Sequence, residues 1–297
     1  MTHLRQMMLE ELQRFNYAQS TAEAYLHAVR EFAVYYHKAP DKLGLREISG
    51  YQLHLLRDRN LAPRTVQVRT AGVRFFFVRV LKRHYPPSEF RYPKMPRRLP
   101  VVLSQDEVKR MIDAATTLVH RTILMILYST GMRRAELSRL TVGDIDTQRM
   151  VIHIKQGKGS KDRDVPLSEK LLETIREYWR WKKPRGYLFP GEAKRGSKGE
   201  HLTPKAIYHA CKGAARRAGI QKNVGPHTLR HSFATHLVES GADLRTVQLL
   251  LGHARLEQTM IYLHLSQRHI RACPNPLDAL PGGDLSDATR SRRNRKR

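Results

Sequence analysis

The sequence has little cysteine, little acidic charge and no long apolar run. Its two cysteines, Cys211 and Cys273, exclude a disulfide scaffold, and the absence of a C-x-x-C pair excludes a zinc site of that type. No run approaches the roughly 18 apolar residues of a membrane span. The first residues also hold no apolar core of a secretory signal. These absences predict a protein of the reducing cytoplasm with no membrane partner.

Basic residues outnumber acidic ones by 54 to 27, which gives a net charge of +27 with histidine neutral. Residues 1–98 carry +10 of this charge, residues 99–289 carry +11, and residues 290–297 carry +6. A field of this sign attracts nucleic acid or acidic lipid, although a merely soluble basic protein is an alternative. The 40% of hydrophobic residues are enough for a folded core. Charge therefore favours a folded nucleic-acid-binding protein.

Residues 1–85 have the apolar period of helices, as at Val29, Phe32 and Tyr36. The segment Ser20-Thr21-Ala22-Glu23 fits a capping box and predicts a helix start. A four-helix, DNA-facing domain is one interpretation, and a solvated basic face on a helical bundle explains the same arginines equally well. Five prolines between 86 and 100 predict an extended basic linker and a domain boundary.

Residues 101–280 are predicted to be mainly helical with one small β-hairpin. A capping box at Ser104–Glu107 starts a helix, and the apolar helix at about 118–128 ends at Gly131. Extended patterns at 150–154 and 163–167 flank a glycine-rich basic turn and predict the hairpin. Further helices are predicted at about 168–182, 203–218, 227–240, 243–251 and 255–263. Residues 281–297 are polar and basic, which predicts a disordered tail.

Candidate chemistry starts with His227, Arg230 and His231, which helical spacing places on one face. Two histidines four apart are also found in zinc proteases, but Thr228 replaces the glutamate of that motif, and structural histidines are the other alternative. A glycine-rich loop at 191–198 has the phosphate-loop residues in the wrong order. It therefore predicts no nucleotide site.

Four further residues stand out by position. Arg133 follows a glycine turn at a helix start, where its fork could hold a phosphate. Lys158 lies at the hairpin turn, His253 follows Leu250-Leu251-Gly252, and Tyr262 comes nine residues after His253. Taken singly, three of them have an ordinary alternative: a surface ion pair with Glu136 for Arg133, a solvated turn lysine for Lys158, and a core aromatic for Tyr262.

The order of these motifs resembles the tyrosine recombinase (phage integrase) family, above all Xer-type recombinases and integrases of mobile elements. The resemblance extends over roughly residues 5–270 and is strongest from Pro226-His227-Thr228-Leu229-Arg230-His231 to Leu251-Gly252-His253. It implies an N-terminal SAM-like core-binding domain of four helices and a tyrosine recombinase catalytic domain at 101–280.

The resemblance also implies the chemistry of the site. Tyr262 attacks the scissile phosphate to form a 3′-phosphotyrosyl link, and Arg133 and Arg230 clamp the phosphate oxygens. Lys158 protonates the leaving 5′ oxygen. His227 exchanges a proton near the tyrosine, and His253 hydrogen-bonds the phosphate.

No metal, cofactor or nucleotide is implied, because the phosphotyrosyl link conserves the bond energy. The implied partner is double-stranded DNA, held by a homotetramer on two duplexes for integration, excision or resolution. Two alternative functions are compatible with the same residues. One is a DNA-binding relative without turnover, and the other is a type IB topoisomerase, which relaxes plasmids that lack a specific site.

Overall fold

The structure, a computed structural model, describes residues 2–95, 99–155, 162–191 and 201–266. Contacts divide the chain into two compact units, Met1–Arg98 and Leu99–Arg297. Each unit has a hydrophobic core of its own. Within the described ranges, no helix is both long and apolar enough to cross a membrane. The predicted basic tail at 281–297 lies outside the described residues.

The described part of the first unit contains the four predicted α-helices, which pack around an aromatic core. Phe32, Phe76 and Phe77 are fully buried there, and the rings of Phe32 and Tyr51 meet edge-on with centroids 5.3 Å apart. The last helix continues through one π-helical turn at Phe76–Val80. The helices are α1 (His3–Arg14), α2 (Gln19–Tyr36), α3 (Leu45–Arg57) and α4 (Pro63–Phe75).

The start of α2 differs from the prediction. The helix begins at Gln19 after Ala18, and no side chain caps it. Gln19 Nε2 donates to Glu23 Oε1 at 3.0 Å, so Glu23 is paired along the helix face rather than back to a capping residue. The capping box at Ser20 is therefore wrong, because Ser20 already lies inside the helix.

The beginning of the proline-rich segment packs against the first unit. A 3₁₀ turn spans Pro87–Glu89, and Phe90 after it is only 2% exposed, with its ring 6.2 Å from that of Tyr85. The carbonyl of Arg91 accepts a hydrogen bond from Gln52 Nε2 at 2.9 Å. The packed part of the first unit therefore reaches at least to Arg91.

The second unit is mainly helical. Ser104 Oγ accepts from the Glu107 amide at 3.2 Å and Glu107 Oε2 accepts from the Ser104 amide at 2.8 Å, which confirms the capping box at the first helix. The other predicted helices are confirmed to within two residues at each end. The described α-helices of this unit are α5 (Gln105–Asp113), α6 (Leu118–Thr130), α7 (Arg134–Arg139), α8 (Glu169–Lys182), α9 (Pro204–Arg217), α10 (Pro226–Glu239), α11 (Leu244–Leu251) and α12 (Glu257–Leu265).

A small antiparallel sheet of three strands, in the order β1-β2-β3, lies in the described part of this unit. The strands β2 (Val151–Ile154) and β3 (Arg163–Pro166) form the predicted hairpin, with Ile152 opposite Val165. The strand β1 (Ile145–Asp146) was not predicted. The turn of the hairpin, residues 156–161, lies outside the described residues.

Helix α10 is central to the second unit. It packs against α6, α9, α11 and α12. Leu229, Ser232 and Ala234 are completely buried although they point in different directions around the helix. A helix buried on most of its faces has fixed side-chain positions. Functional groups on α10 are therefore held rigidly against its neighbours.

Candidate active site

The structure brings five of the six predicted site residues together in the second unit, within or next to four helices. The sixth, Lys158, lies outside the described residues. Arg133 precedes α7, Arg230 and His227 lie on α10, His253 follows α11, and Tyr262 lies in α12.

Arg230 is anchored by the backbone at the ends of two helices. Its Nη1 donates to the Gly131 carbonyl after α6, and its Nη2 donates to the Leu251 carbonyl at the end of α11, both at 2.6 Å. The side chain is 4% exposed. Burial, followed by the charge of Arg133, lowers the pKa of Arg230 to about 10, so the group remains cationic at neutral pH. The negative ends of two helix dipoles stabilise that charge.

A buried carboxylate, Glu136, holds Arg133 and a second arginine. Arg133 Nη1 donates to Glu136 Oε1 at 2.7 Å, and Arg163 Nη2 donates to Glu136 Oε2 at 2.7 Å. Burial alone raises the pKa of the Glu136 carboxyl, but its hydrogen bonds to Arg163 and Arg133 outweigh burial and hold that pKa at about 2. Glu136 therefore connects Arg133 to Arg163, the first residue of strand β3.

The helix ends that carry these carbonyls depend on glycine. Gly131 has a φ of +60°, and a Cβ there would lie 2.4 Å from Phe233 Cδ1. Gly252 has a φ of +62°, and its carbonyl accepts a long bond from Arg133 Nη2 at 3.4 Å. Left-handed backbone at a helix end favours glycine, and in this conformation the carbonyls of Gly131, Leu251 and Gly252 accept hydrogen bonds from the two arginines.

Tyr262 is 1% exposed and lies beside the two arginines. Burial raises the pKa of its hydroxyl, while the charges of Arg230 and Arg133 oppose that rise. The His253 ring stacks on the Tyr262 ring with centroids 6.3 Å apart and an interplanar angle of 12°. His253 Nδ1 lies 2.9 Å from Thr259 Oγ1, one turn before Tyr262 on α12. His253 therefore contacts the ring of the tyrosine rather than its hydroxyl.

The hydroxyl of Tyr262 contacts a histidine to which the sequence assigned no role. His231 Nδ1 lies 3.1 Å from Tyr262 Oη. The sequence placed His231 on the same helical face as His227, but it could not show which histidine meets the tyrosine. His227 lies near the arginines instead. Burial and the charges of Arg230, Arg134 and Arg133 lower its pKa.

Two further residues with a role in the geometry, Glu136 and Arg163, were also missed as site residues. The sequence indicates Glu136 only as a surface partner of Arg133, yet its side chain is 6% exposed. Arg163 Nε donates to the Leu250 carbonyl at 2.8 Å. An arginine at the start of a predicted strand gives no local sign of a partner 27 residues away.

The arrangement combines two fixed guanidinium forks with a tyrosine hydroxyl and neutral imidazoles. Guanidinium forks match the oxygen geometry of a phosphate, and a nearby hydroxyl is a nucleophile once its proton is removed. In the described ranges, no group of three or more His, Cys, Asp or Glu side chains is placed to hold a metal ion. The geometry can hold a phosphate beside a tyrosine hydroxyl.

Comparisons with known proteins match both units. The profile of the Phage integrase family matches residues 101–269, and that of the Phage integrase, N-terminal SAM-like domain matches residues 4–87. The chain therefore belongs to the phage integrase family. Its activity is that of a site-specific tyrosine recombinase.

Individual relatives match over most of their length. The Sinorhizobium fredii protein y4qK, named as an integrase/recombinase, is 44% identical over 95% of this chain and 90% of its own. Tyrosine recombinase XerD of Listeria innocua is 34% identical over 78% of this chain and 82% of its own.

Solved structures share the fold. The crystal structure of XerA recombinase covers 90% of this chain and 95% of its own, with 30% identity and a TM-score of 0.53. The XerH recombinase bound to palindromic difH substrate, in a post-cleavage complex, covers 84% of this chain and 78% of its own. Its TM-score is 0.67, and its 24% identity supports the fold alone.

Proposed function

We propose that this chain cleaves and rejoins double-stranded DNA through a 3′-phosphotyrosyl link on Tyr262. The observation that carries the proposal is the position of the Tyr262 hydroxyl, in one site with the guanidinium groups of Arg133 and Arg230. Strand transfer needs a nucleophile and neutralisation of the charge that develops on the phosphate. The net charge of +27 and the palindromic difH substrate named in the XerH complex support DNA as the partner.

Each site residue has a role in the proposed reaction. Arg133 and Arg230 bind the two non-bridging oxygens, and each such donor contributes roughly 3 kcal/mol to the transition state. Lys158 on the hairpin turn protonates the leaving 5′ oxygen. His227, beside the arginines, and His253, against the tyrosine ring, complete the site as neutral hydrogen-bonding groups. The chemistry needs no metal, cofactor or nucleotide, because the phosphotyrosyl link keeps the bond energy.

The proposed assembly is a homotetramer on two DNA duplexes, acting on the chromosome in the cytoplasm. The proposed domains are a core-binding domain at 1–85, a linker at 86–100 whose first residues pack on that domain, a catalytic domain at 101–280 and a basic tail at 281–297. The relatives named as integrases and Xer recombinases support integration, excision or resolution as the outcome.

Covalent capture tests this function and identifies the target sequence in the same experiment. The wild-type chain is incubated with nicked duplexes that carry a randomised segment. The DNA that remains attached to the protein after boiling in detergent is then sequenced. We expect one recurring sequence, with a free 5′ hydroxyl at the break. Tyr262→Phe should bind the recovered duplex and form no covalent adduct.

Three results would contradict the proposal. An adduct at normal yield with Tyr262→Phe would place the nucleophile elsewhere. A wild-type chain that binds the duplex and forms no adduct would be a DNA-binding relative without turnover. Rapid relaxation of a supercoiled plasmid that lacks the recovered sequence would indicate topoisomerase activity.

A further inference from the structure

The contact between His231 and Tyr262 is the shortest route for a proton away from the nucleophile. His231 Nδ1 lies 3.1 Å from Tyr262 Oη, within the reach of a general base. Their rings are 5.8 Å apart at 45°, so the imidazole meets the hydroxyl with a nitrogen rather than stacking on the ring. The two residues lie on α10 and α12, which pack against each other.

Proton removal is a real requirement at this site. Burial raises the pKa of Tyr262, so its hydroxyl is protonated at neutral pH despite the opposing charges of Arg230 and Arg133. The pKa of His231 is lowered to about 4 by burial, His227 and Arg230, so its ring is neutral and has a free lone pair. A bound phosphate offsets the charge of Arg230 and so makes that lone pair more basic.

The other two histidines, His227 and His253, are less well placed to accept the proton of Tyr262. His253 faces the ring of Tyr262, and its Nδ1 contacts Thr259. The groups that lower the pKa of His227, after burial, are the guanidinium groups of Arg230, Arg134 and Arg133, which places it on the arginine side of the site.

Resting on the proposed function, we infer that His231 is the proton acceptor for Tyr262 in DNA cleavage. As the bond from Oη to phosphorus forms and the bond from phosphorus to the 5′ oxygen breaks, the tyrosine proton moves to His231 Nδ1. For this step, His231 carries its own hydrogen on Nε2. The 5′ oxygen receives a separate proton, assigned to Lys158. On rejoining, the imidazolium returns its proton to Tyr262.

The test measures adduct formation in a single turnover on the captured duplex, with His231→Ala, His231→Asn and the wild type. The Asn side chain can still hydrogen-bond near the Nδ1 position but cannot accept a proton at neutral pH. We expect both variants to be about 100-fold slower or more at pH 7. Added imidazole should restore much of the His231→Ala rate.

The pH profile separates proton transfer from a structural role. The charged and titratable groups around the pair are His227, Arg230, Arg133 and His253. The wild-type rate should be nearly flat from pH 7 to pH 9. The His231→Ala rate should rise about tenfold per pH unit, because the fraction of ionised tyrosine rises by that factor below its pKa.

Helix α10 provides a matched control, because His236 Nδ1 lies 2.9 Å from the hydroxyl of Tyr128 in a similar pairing. His236→Ala should show neither the pH slope nor imidazole rescue. A His231→Asn rate equal to that of the wild type, or a His231→Ala profile parallel to it, would overturn the inference. A wild-type chain that forms no adduct would refute the proposed function and this inference with it.

Discussion

The buried carboxylate of Glu136 offers a quantitative test of how the active site is held together. Glu136→Gln keeps the shape of the side chain but removes its charge, as protonation does. The pKa of Glu136 is about 2 in the folded chain, compared with an ordinary value of 4.5. A difference of this size corresponds to about 3 kcal/mol of unfolding free energy at pH 7. The variant should lose that amount, since Arg133 and Arg163 are left with no buried counter-charge.

The pH dependence of the loss follows from the direction of the pKa shift. A carboxyl whose folded pKa lies below its unfolded pKa stabilises the fold fully above about pH 4.5. That stabilisation disappears as the pH falls towards 2. The difference between wild type and Glu136→Gln should therefore be largest at neutral pH and should narrow steadily below pH 4.5.

Urea denaturation followed by tryptophan fluorescence measures this difference for the second unit of the chain, which contains Glu136. Both tryptophans, Trp179 and Trp181, lie on α8 of the second unit. The control is Asp113→Asn, which removes an exposed carboxylate paired with Lys109 and should leave the urea midpoint unchanged. A loss of under about 1 kcal/mol for Glu136→Gln at pH 7, or a loss that does not change with pH, would refute the reasoning.

Three further outcomes are expected. Gly131→Ala should destabilise the second unit by about 1–3 kcal/mol in the same urea assay, because the new Cβ meets Phe233. Gly219→Ala, also at positive φ but with open space around it, should lose less, and equal losses would contradict the clash. Arg230→Lys keeps the charge but loses the double anchor, so adduct formation should fall at least about 100-fold while DNA affinity stays within about tenfold. A large affinity loss with normal cleavage would show a positioning role instead. Lys158→Ala should cleave a 5′-bridging phosphorothiolate nearly normally and an ordinary duplex poorly, and equal impairment on both would refute its role as the proton donor.

Local signals in the sequence predicted most of the fold. The helices have clear apolar periods. At Ser104 the capping pattern was confirmed, because Ser104 has an extended backbone and lies immediately before α5. At Ser20 the same pattern failed, because four residues cannot show whether the residues before them are already helical. The strand β1 is only two residues long, which is too short for an alternating pattern to be recognised.

The active site was predicted as far as its residues occur in recognisable motifs. The order of the motifs identified Arg230 and Tyr262, and the structure places them together. The pairing of His231 with Tyr262 depends on how α10 packs against α12, which no pattern within either helix records. The buried ion pair of Glu136 and Arg163 was hidden for the same reason. Basic residues outnumber acidic ones two to one, so the sequence alone does not show which arginines pair with a given carboxylate. The tertiary structure determines the pairing.

The main-chain anchors of Arg230 determine which mutations the site tolerates. Substitution cannot remove the carbonyls of Gly131 and Leu251, since every amino acid carries one. A change in helix length, in contrast, moves these carbonyls. One residue inserted within α6 or α11 turns the terminal carbonyl by about 100° and advances it by about 1.5 Å, which takes it out of reach of the guanidinium. Natural variation near the site should therefore conserve the lengths of these two helices, even at positions where it changes a side chain.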